Sequence, residues 1–399
     1  MRFRHRDGSV VNLAYCTNVH PAETVSGLLA QLRSYAAGVR TALGADVLGV
    51  GLWLPAPAAR VLARDSAALT GLRRELDALG LEVVTLNAFP YAGFHDQVVK
   101  GAVYHPDWSE AARLDYTVDC ATVLARLLPD DAAEGSISSV PLGWRSPWYA
   151  DRDAAARQRL GELADALGKI SAEAGRPIRV GLEPEPGCVI DTTQDAVERL
   201  AGVVDTDSIG VCLDTCHLAT GFEEGADAVR RLTDAGLPVV KAQASAALHA
   251  EDPSSPEVRA ALAAYAEDRF LHQVREPRGA RIGARIEGRD DLPAALGGRR
   301  PLPAKLPWRV HFHVPVHAEL APPLRSTSDH LDASLGALVG GDHPVTRHLE
   351  VETYTWSVLP EGSRPTDPES LVAGIAAEVA WVRDRLLGHG LDQITGSAA

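Results

Sequence analysis

Cysteine is scarce in this 399-residue sequence: Cys16, Cys120, Cys188, Cys212 and Cys216 are few, odd in number and scattered. That excludes a disulfide framework and fits reduced thiols in a cytoplasm. Cys212 and Cys216 have no second close pair, which argues against a structural zinc site. The opening MRFRHRDGSVVNLAY carries charge but no apolar core, so it does not read as a secretory signal. No stretch of about 18 uninterrupted apolar residues is present, as a membrane-spanning helix would need. Positive charge is also lacking: Lys+Arg number 39 against 53 Asp+Glu, a formal net charge of −14. Such a chain has no general field to attract phosphate backbones or anionic lipid. Neither nucleic acid nor membrane insertion is therefore expected; the expected partner is a small polyol or sugar, and a homodimer is allowed.

What the chain does have is alternation. Short β-type runs begin near 11, 46, 81, 136, 178, 209 and 237, and later at Arg309–Val316 and His348–Trp356. Between them lie helical stripes. Val25, Leu28, Leu29, Leu32, Tyr35, Ala36 and Val39 follow one buried face. Leu69, Leu72, Leu76 and Leu79 do so before a stop at Gly80. Leu160, Leu163, Leu167 and Ile170 follow Asp151, which reads as an N-cap. A final helix starts at Asp367-Pro368. The strand starts recur roughly every 30–55 residues, the size of a βα unit. Seven units with an eighth strand near 348 imply an α/β fold of the (β/α)8 TIM-barrel type with long insertions. TNVHPAE after the first strand is no phosphate loop, which argues against a doubly wound sheet. The expectation is one domain over 1–399, with 246–306 an insertion acting as lid, interface or flexible segment.

In this fold the site lies at the C-terminal ends of the strands. Those ends are rich in metal-ligand types: Asn18 and His20 after strand one, then Asn87, Phe89, His95 and Lys100 after strand three. Glu183 and Glu185 end strand five, Asp214 and His217 end strand six, and Lys241, Gln243 and Ser245 end strand seven. His311, His313 and His317 follow in the Arg309–Val316 run, and Glu350 and Glu352 lie on strand eight. Alternate residues share a face, so Glu183 with Glu185, Lys241 with Gln243 and Glu350 with Glu352 point alike. Each has an ordinary explanation taken singly: a lone Glu as ion-pair partner, D-x-x-H as chance, H-x-H as an exposed edge strand. Their conjunction is different. Several carboxylates at one barrel mouth call for a divalent cation or a cationic group. Carboxylate, imidazole and amide donors suit Mn, Co, Zn or Mg.

GVCLDTCHLATGF at 210–222 resembles the zinc-site signature of endonuclease IV-type enzymes, in which that Asp and the His three residues later are ligands. The order Glu, Asp, His or Gln, Glu on strands five to eight resembles the xylose isomerase-like TIM-barrel superfamily. Within it, FPYAGFHDQVVKGAVYHPDW, SVPLGW, LEPEPG, LDTCH, KAQASAAL, HFHVPVH and HLEVETYTW together resemble the EboE family of "metabolite traffic" proteins. The resemblance runs from Asn12 to Trp356 and implies one divalent ion on Glu183, Asp214, Gln243 and Glu352, with His217 a ligand or a substrate contact. Glu352 is preferred to Glu350. Gln243 stands where the superfamily usually has His, so its amide oxygen, His311 or His313 is the fourth ligand.

Three functions accommodate this set. The first is a metal-dependent isomerase or epimerase of a sugar, keto-sugar or cyclitol, phosphorylated or not. There Glu183 and Glu352 remove and return a proton. His20, His95, Lys100, Glu185, Lys241, His311 and His313 are its candidate substrate contacts, with Trp108 and Trp144 as apolar wall. The second is a metal phosphoesterase of a small substrate, and the third a binding protein without chemistry.

Overall fold

The apolar runs expected as strands form eight parallel ones: Val10–Cys16, Leu48–Trp53, a third in two pieces (Leu81–Glu82 and Thr85–Asn87), Gly135–Ser139, Ile178–Leu182, Ile209–Asp214, Val239–Ala244 and His348–Val351. Successive strands pair with one another, and the eighth returns to the first with Leu349 opposite Leu13, so the sheet closes into a barrel. The chain is therefore a (β/α)8 barrel in this computed structural model, which describes residues 1–279 and 285–395. Residues 280–284, inside the expected insertion, and 396–399 lie outside the described residues. No helix among the described residues is long and apolar enough to cross a membrane. All five cysteines are buried and free.

The helices begin and end for local reasons. Asp65 caps Ser66–Leu79 by accepting from two backbone amides, and Gly80 ends it in the left-handed conformation at φ 65°. Asp367 caps Pro368–Gly388 with Ser370 closing a capping box. The stripe from Val25 is carried by Val25–Gln31 and Ala37–Ala42, joined through a π-helical stretch at Leu32–Ala36. Asp151 does not cap its helix. That helix begins at Ala150 with Tyr149 at the cap position, and Asp151 lies within the first turn, where its charge opposes the positive end of the helix dipole.

Between strands seven and eight the chain builds a second, five-stranded antiparallel sheet. Its order is Ile286–Arg289, Val274–Pro277, Trp308–Val314, Ala246–Ala250, Leu324–Ser326. It begins where the insertion was expected but runs past 306 to Ser326. The His-rich run is its middle strand, not an exposed edge. Trp308, Val310, Phe312 and Val314 alternate onto one buried face, which leaves His311 and His313 together on the other. One apolar core joins barrel and inserted sheet, with Val274, Leu292, Trp308 and Phe312 in the same cluster as Leu13 and Val180.

The barrel interior holds one buried ion pair. Lys241 of strand seven donates to Glu350 of strand eight, and neither side chain is exposed. Burial disfavours the ammonium charge, but Glu350 outweighs it and holds the Lys241 pKa above its ordinary value. Gly51 makes room for the pair: a Cβ there would sit 1.4 Å from Glu350 Oε1. Removing one partner strands a buried charge, so Lys241→Met is expected to cost about 3–5 kcal/mol of stability. Lys241→Met with Glu350→Leu should recover most of that loss, as read by denaturant unfolding of both variants.

Candidate metal centre

Above the Lys241–Glu350 pair, strands five, six and eight end in Glu183, Asp214 and Glu352. Each of the three offers a carboxylate oxygen within 4.8 Å of the other two, and all are buried. Their supports differ. Asn18 and Asn87, at the ends of strands one and three, donate their Nδ2 groups to Glu352 Oε1 at 2.7 and 2.9 Å. Asp214 Oδ1 accepts from the His217 backbone amide at 2.9 Å and from Ser245 Oγ at 2.7 Å. Glu183 Oε2 and Asp214 Oδ2 have no partner, and neither does either side-chain atom of Gln243, which is wholly buried. Gln243 pairs with Asp214 on strand six and with Glu350 on strand eight, so it stands between the carboxylate-bearing strands.

Buried polar atoms left bare are costly, and buried like charges more so. Burial, then the charges of Glu352 and Asp214, push the Glu183 carboxyl well above the ordinary carboxylate range. Burial and Asp214 do the same to Glu352. A divalent cation among these oxygens removes both penalties at once. The donor set, three carboxylates with an amide oxygen, fits a hard or borderline ion such as Mg, Mn, Co or Zn.

The pocket over this cage is lined by Glu183, Glu185, Glu352, Asn18, Lys100, His217, His311 and His313 on its polar side, and by Phe89, Phe94, Tyr104, Phe270, Leu271 and Tyr354 on its apolar side. Glu185 accepts from Tyr104 OH at 2.6 Å and from Gln273 Nε2 at 3.2 Å; burial outweighs both bonds and pushes its carboxyl to about 8. His217 and His311 stand with their Nε2 atoms 3.1 Å apart, and His313 Nε2 lies 3.9 Å from Asp214 Oδ2. Burial pushes the pKa of all three imidazoles down, that of His217 to about 4. Lys100, strained at φ 40°, donates to Asp291 Oδ2 at 2.7 Å and to the Glu267 carbonyl at 3.1 Å. It ties the loop after strand three to the inserted segment across the pocket.

Several expected contacts lie elsewhere. Lys241 is sealed in the barrel by Glu350 and does not line the pocket. His20 stacks on Tyr35 at 4.3 Å, with Tyr15 OH 3.3 Å away, because its strand end turns it into the core. His95 stands behind the pocket wall and donates Nε2–H to the Asn18 carbonyl at 2.7 Å. Trp108 is wholly buried and donates to the Val140 carbonyl at 3.1 Å. Trp144 packs on Tyr104 at 4.8 Å, outside the lining. Conversely Tyr104, Gln273, Phe270 and Tyr354 enter the site without having been expected. Asn18 and Asn87 prove to be supports of Glu352.

Residues 40–272 match the family model described as xylose isomerase-like TIM barrel. Among solved structures, D-allulose 3-epimerase from Methylomonas sp. is 13% identical with a TM-score of 0.51, over 96% of this chain and 100% of that one. A xylose isomerase-like TIM barrel protein from Mycobacterium smegmatis, in complex with magnesium, is 13% identical with a TM-score of 0.50, over 95% and 97%. At that identity the likeness is one of fold. No curated protein matches the sequence.

The donors behind a ligand tune it. Asn18→Ala and Asn87→Ala are each expected to weaken Mn²⁺ binding by roughly 10–100-fold. Calorimetric titration of chelator-stripped protein checks this, and an unchanged affinity in both would remove Glu352 from the ligand set.

Proposed function

This chain belongs to the xylose isomerase-like TIM barrel family, and from that premise we propose that it is a divalent-metal-dependent isomerase or epimerase of a sugar, keto-sugar or cyclitol. The observation that carries the reading is the cage of Glu183, Asp214 and Glu352, with Gln243 bare beside it, under a pocket lined by polar groups on one side and aromatic rings on the other. Within the family, the motifs from Phe89 to Trp356 favour an EboE-type member that handles a small metabolite.

Glu183, Asp214, Glu352 and Gln243 would hold the ion. When bound, it supplies Lewis-acid polarisation of adjacent substrate oxygens, which acidifies the carbon-bound proton between them. The chain's own residues do the rest. Glu183, with one carboxylate oxygen turned to the ion, takes the proton from carbon with the other. Glu352, oriented by Asn18 and Asn87 through Oε1, returns a proton from the other side with its second oxygen. His217, with Nδ1–H committed to the Pro184 carbonyl at 2.9 Å, accepts from a substrate hydroxyl through Nε2. Tyr104, Phe89, Phe94, Phe270 and Tyr354 pack against the carbon skeleton and exclude water.

A metal phosphoesterase acting on a small ester is the second reading, favoured by the three imidazoles beside the cage. Proton exchange at carbon separates the two. Glu183→Gln and Glu352→Gln are each expected to lose turnover by at least about 10³-fold, together with deuterium uptake from D₂O into the polyol or keto-sugar. Full activity in both variants, or phosphate release without deuterium uptake, would sink the isomerase assignment.

A further inference from the structure

We propose that Glu378, on the last helix, is a positioning residue: it holds the turn after strand eight so that Glu352 meets the cage and Tyr354 the pocket. The proposal rests on the metal-centre reading, since Glu352 is the ligand being held. Glu378 does not line the pocket, and its hydrogen bonds go to Val316, Thr353 and Trp356. It acts on the site through the chain beside it.

The sheet alone does not fix Glu352. Strand eight ends at Val351, just before it. Glu352 donates its backbone N–H to the Ala244 carbonyl at 3.2 Å, and its own carbonyl accepts from His313 Nδ1 at 2.7 Å. Thr353 then leaves the extended conformation at φ −136° and ψ 89°, and the chain turns into a short 3-10 helix, Tyr354–Val358. The side chains of this turn are tethered to the last helix. Thr353 Oγ1 donates to Glu378 Oε1 at 2.6 Å, and Trp356 Nε1 donates to Glu378 Oε2 at 3.0 Å. Val316, just past the strand that carries His311 and His313, donates its N–H to Oε1 at 3.1 Å. Thr355 Oγ1 adds a bond to the His313 carbonyl. One carboxylate thus joins the exit of strand eight to the exit of the inserted strand, and both carry side chains of the site.

Packing does not explain a carboxylate here. Ile375, Val379, Val382 and Leu386 bury the same helix with apolar side chains. Glu378 is as buried as they are, and its charge meets three hydrogen-bond donors and no cation among the described residues. Burial outweighs those bonds and pushes its carboxyl up to about 7. A charge so placed costs more than an apolar residue would. What it supplies is two acceptor oxygens for donors from two loops. Gly374, one turn earlier on the helix, lets the turn come close: a Cβ there would sit 2.5 Å from Trp356 Cη2.

Glutamine at 378 has one acceptor oxygen and an NH₂ group. If the oxygen serves Thr353 and Val316, the NH₂ confronts the indole N–H. If it serves the indole, Thr353 and Val316 lose their acceptor. Phenylalanine at 356 removes the indole N–H, so the amide oxygen then has one place to go.

The test is calorimetric titration of the chelator-stripped full chain with Mn²⁺, below the melting temperature of every variant. Glu378→Gln is expected to bind about 10-fold more weakly than the wild type, with a similar loss in Thr353→Val. Glu378→Gln with Trp356→Phe should bind as well as Trp356→Phe alone. Val382→Ala, one turn further along the helix, should lower the melting temperature and leave the affinity unchanged. If Glu378→Gln fails to fold, Thr353→Val carries the comparison. Unchanged Mn²⁺ affinity in Glu378→Gln and Thr353→Val, with melting lowered as in Val382→Ala, would make Glu378 a packing residue and overturn the proposal. A loss that Trp356→Phe does not recover would overturn the tether geometry. A wild type that binds no Mn²⁺ would instead overturn the metal centre itself.

Discussion

Three carboxylates brought within 4.8 Å of one another in a buried site set the terms for everything around them. Two unit charges at that range repel by about 4 kcal/mol at an effective dielectric of 20. Three such pairs are more than a domain of ordinary stability tolerates for no purpose. The buried ammonium of Lys241 is already paired with Glu350. Asn18 and Asn87 soften the charge of Glu352, and Ser245 that of Asp214, but Glu183 Oε2 and Asp214 Oδ2 are left bare. The missing positive charge is the natural tenant of the site.

The barrel supplies the cage and the insertion supplies its roof. Strands five, six and eight end together because the sheet closes with strand eight against strand one, which brings Glu352 from the far end of the sequence beside Asn18. The inserted sheet then lowers His311 and His313 onto the same mouth. The loop after strand three is fastened to it: Val99 and Lys100 donate backbone N–H to the Arg269 carbonyl at 2.8 and 2.7 Å, beside the Lys100–Asp291 pair. The aromatic side chains of Phe94, Phe270 and Tyr354, from three separate segments, meet with centroids 4.9 to 5.2 Å apart. These rings form the apolar side of the pocket.

Much of this was legible in the sequence. The period of strand and helix is local, so the barrel and the rank of each carboxylate at a strand end could be read off Glu183, Asp214 and Glu352. What escaped was set by distance along the chain or by direction of a side chain. Gln273 and Phe270 belong to an insertion whose strands pair with partners far away in sequence, so no periodicity announces them. Tyr104 sits in a loop without regular spacing. Lys241 shares a face with Gln243 as expected, yet two residues of depth separate a pocket wall from a barrel interior, and Gly51 is the vacancy that lets Glu350 reach it. His20 and His95 end the right segments but turn into aromatic neighbours. Strand position predicts height in the barrel better than it predicts exposure to the pocket.

The most direct measurement is the thermal midpoint of wild type and Glu183→Gln at pH 8, each in chelator and in saturating Mn²⁺. A carboxyl raised in the folded state above its ordinary 4.5 lowers stability as pH climbs through that range, and Gln lacks this loss. The account predicts that Glu183→Gln melts above the wild type in chelator, and that Mn²⁺ raises the wild type far more than the variant. A wild type that melts higher in chelator, with Mn²⁺ moving both proteins equally or neither, would contradict a cage built for a cation.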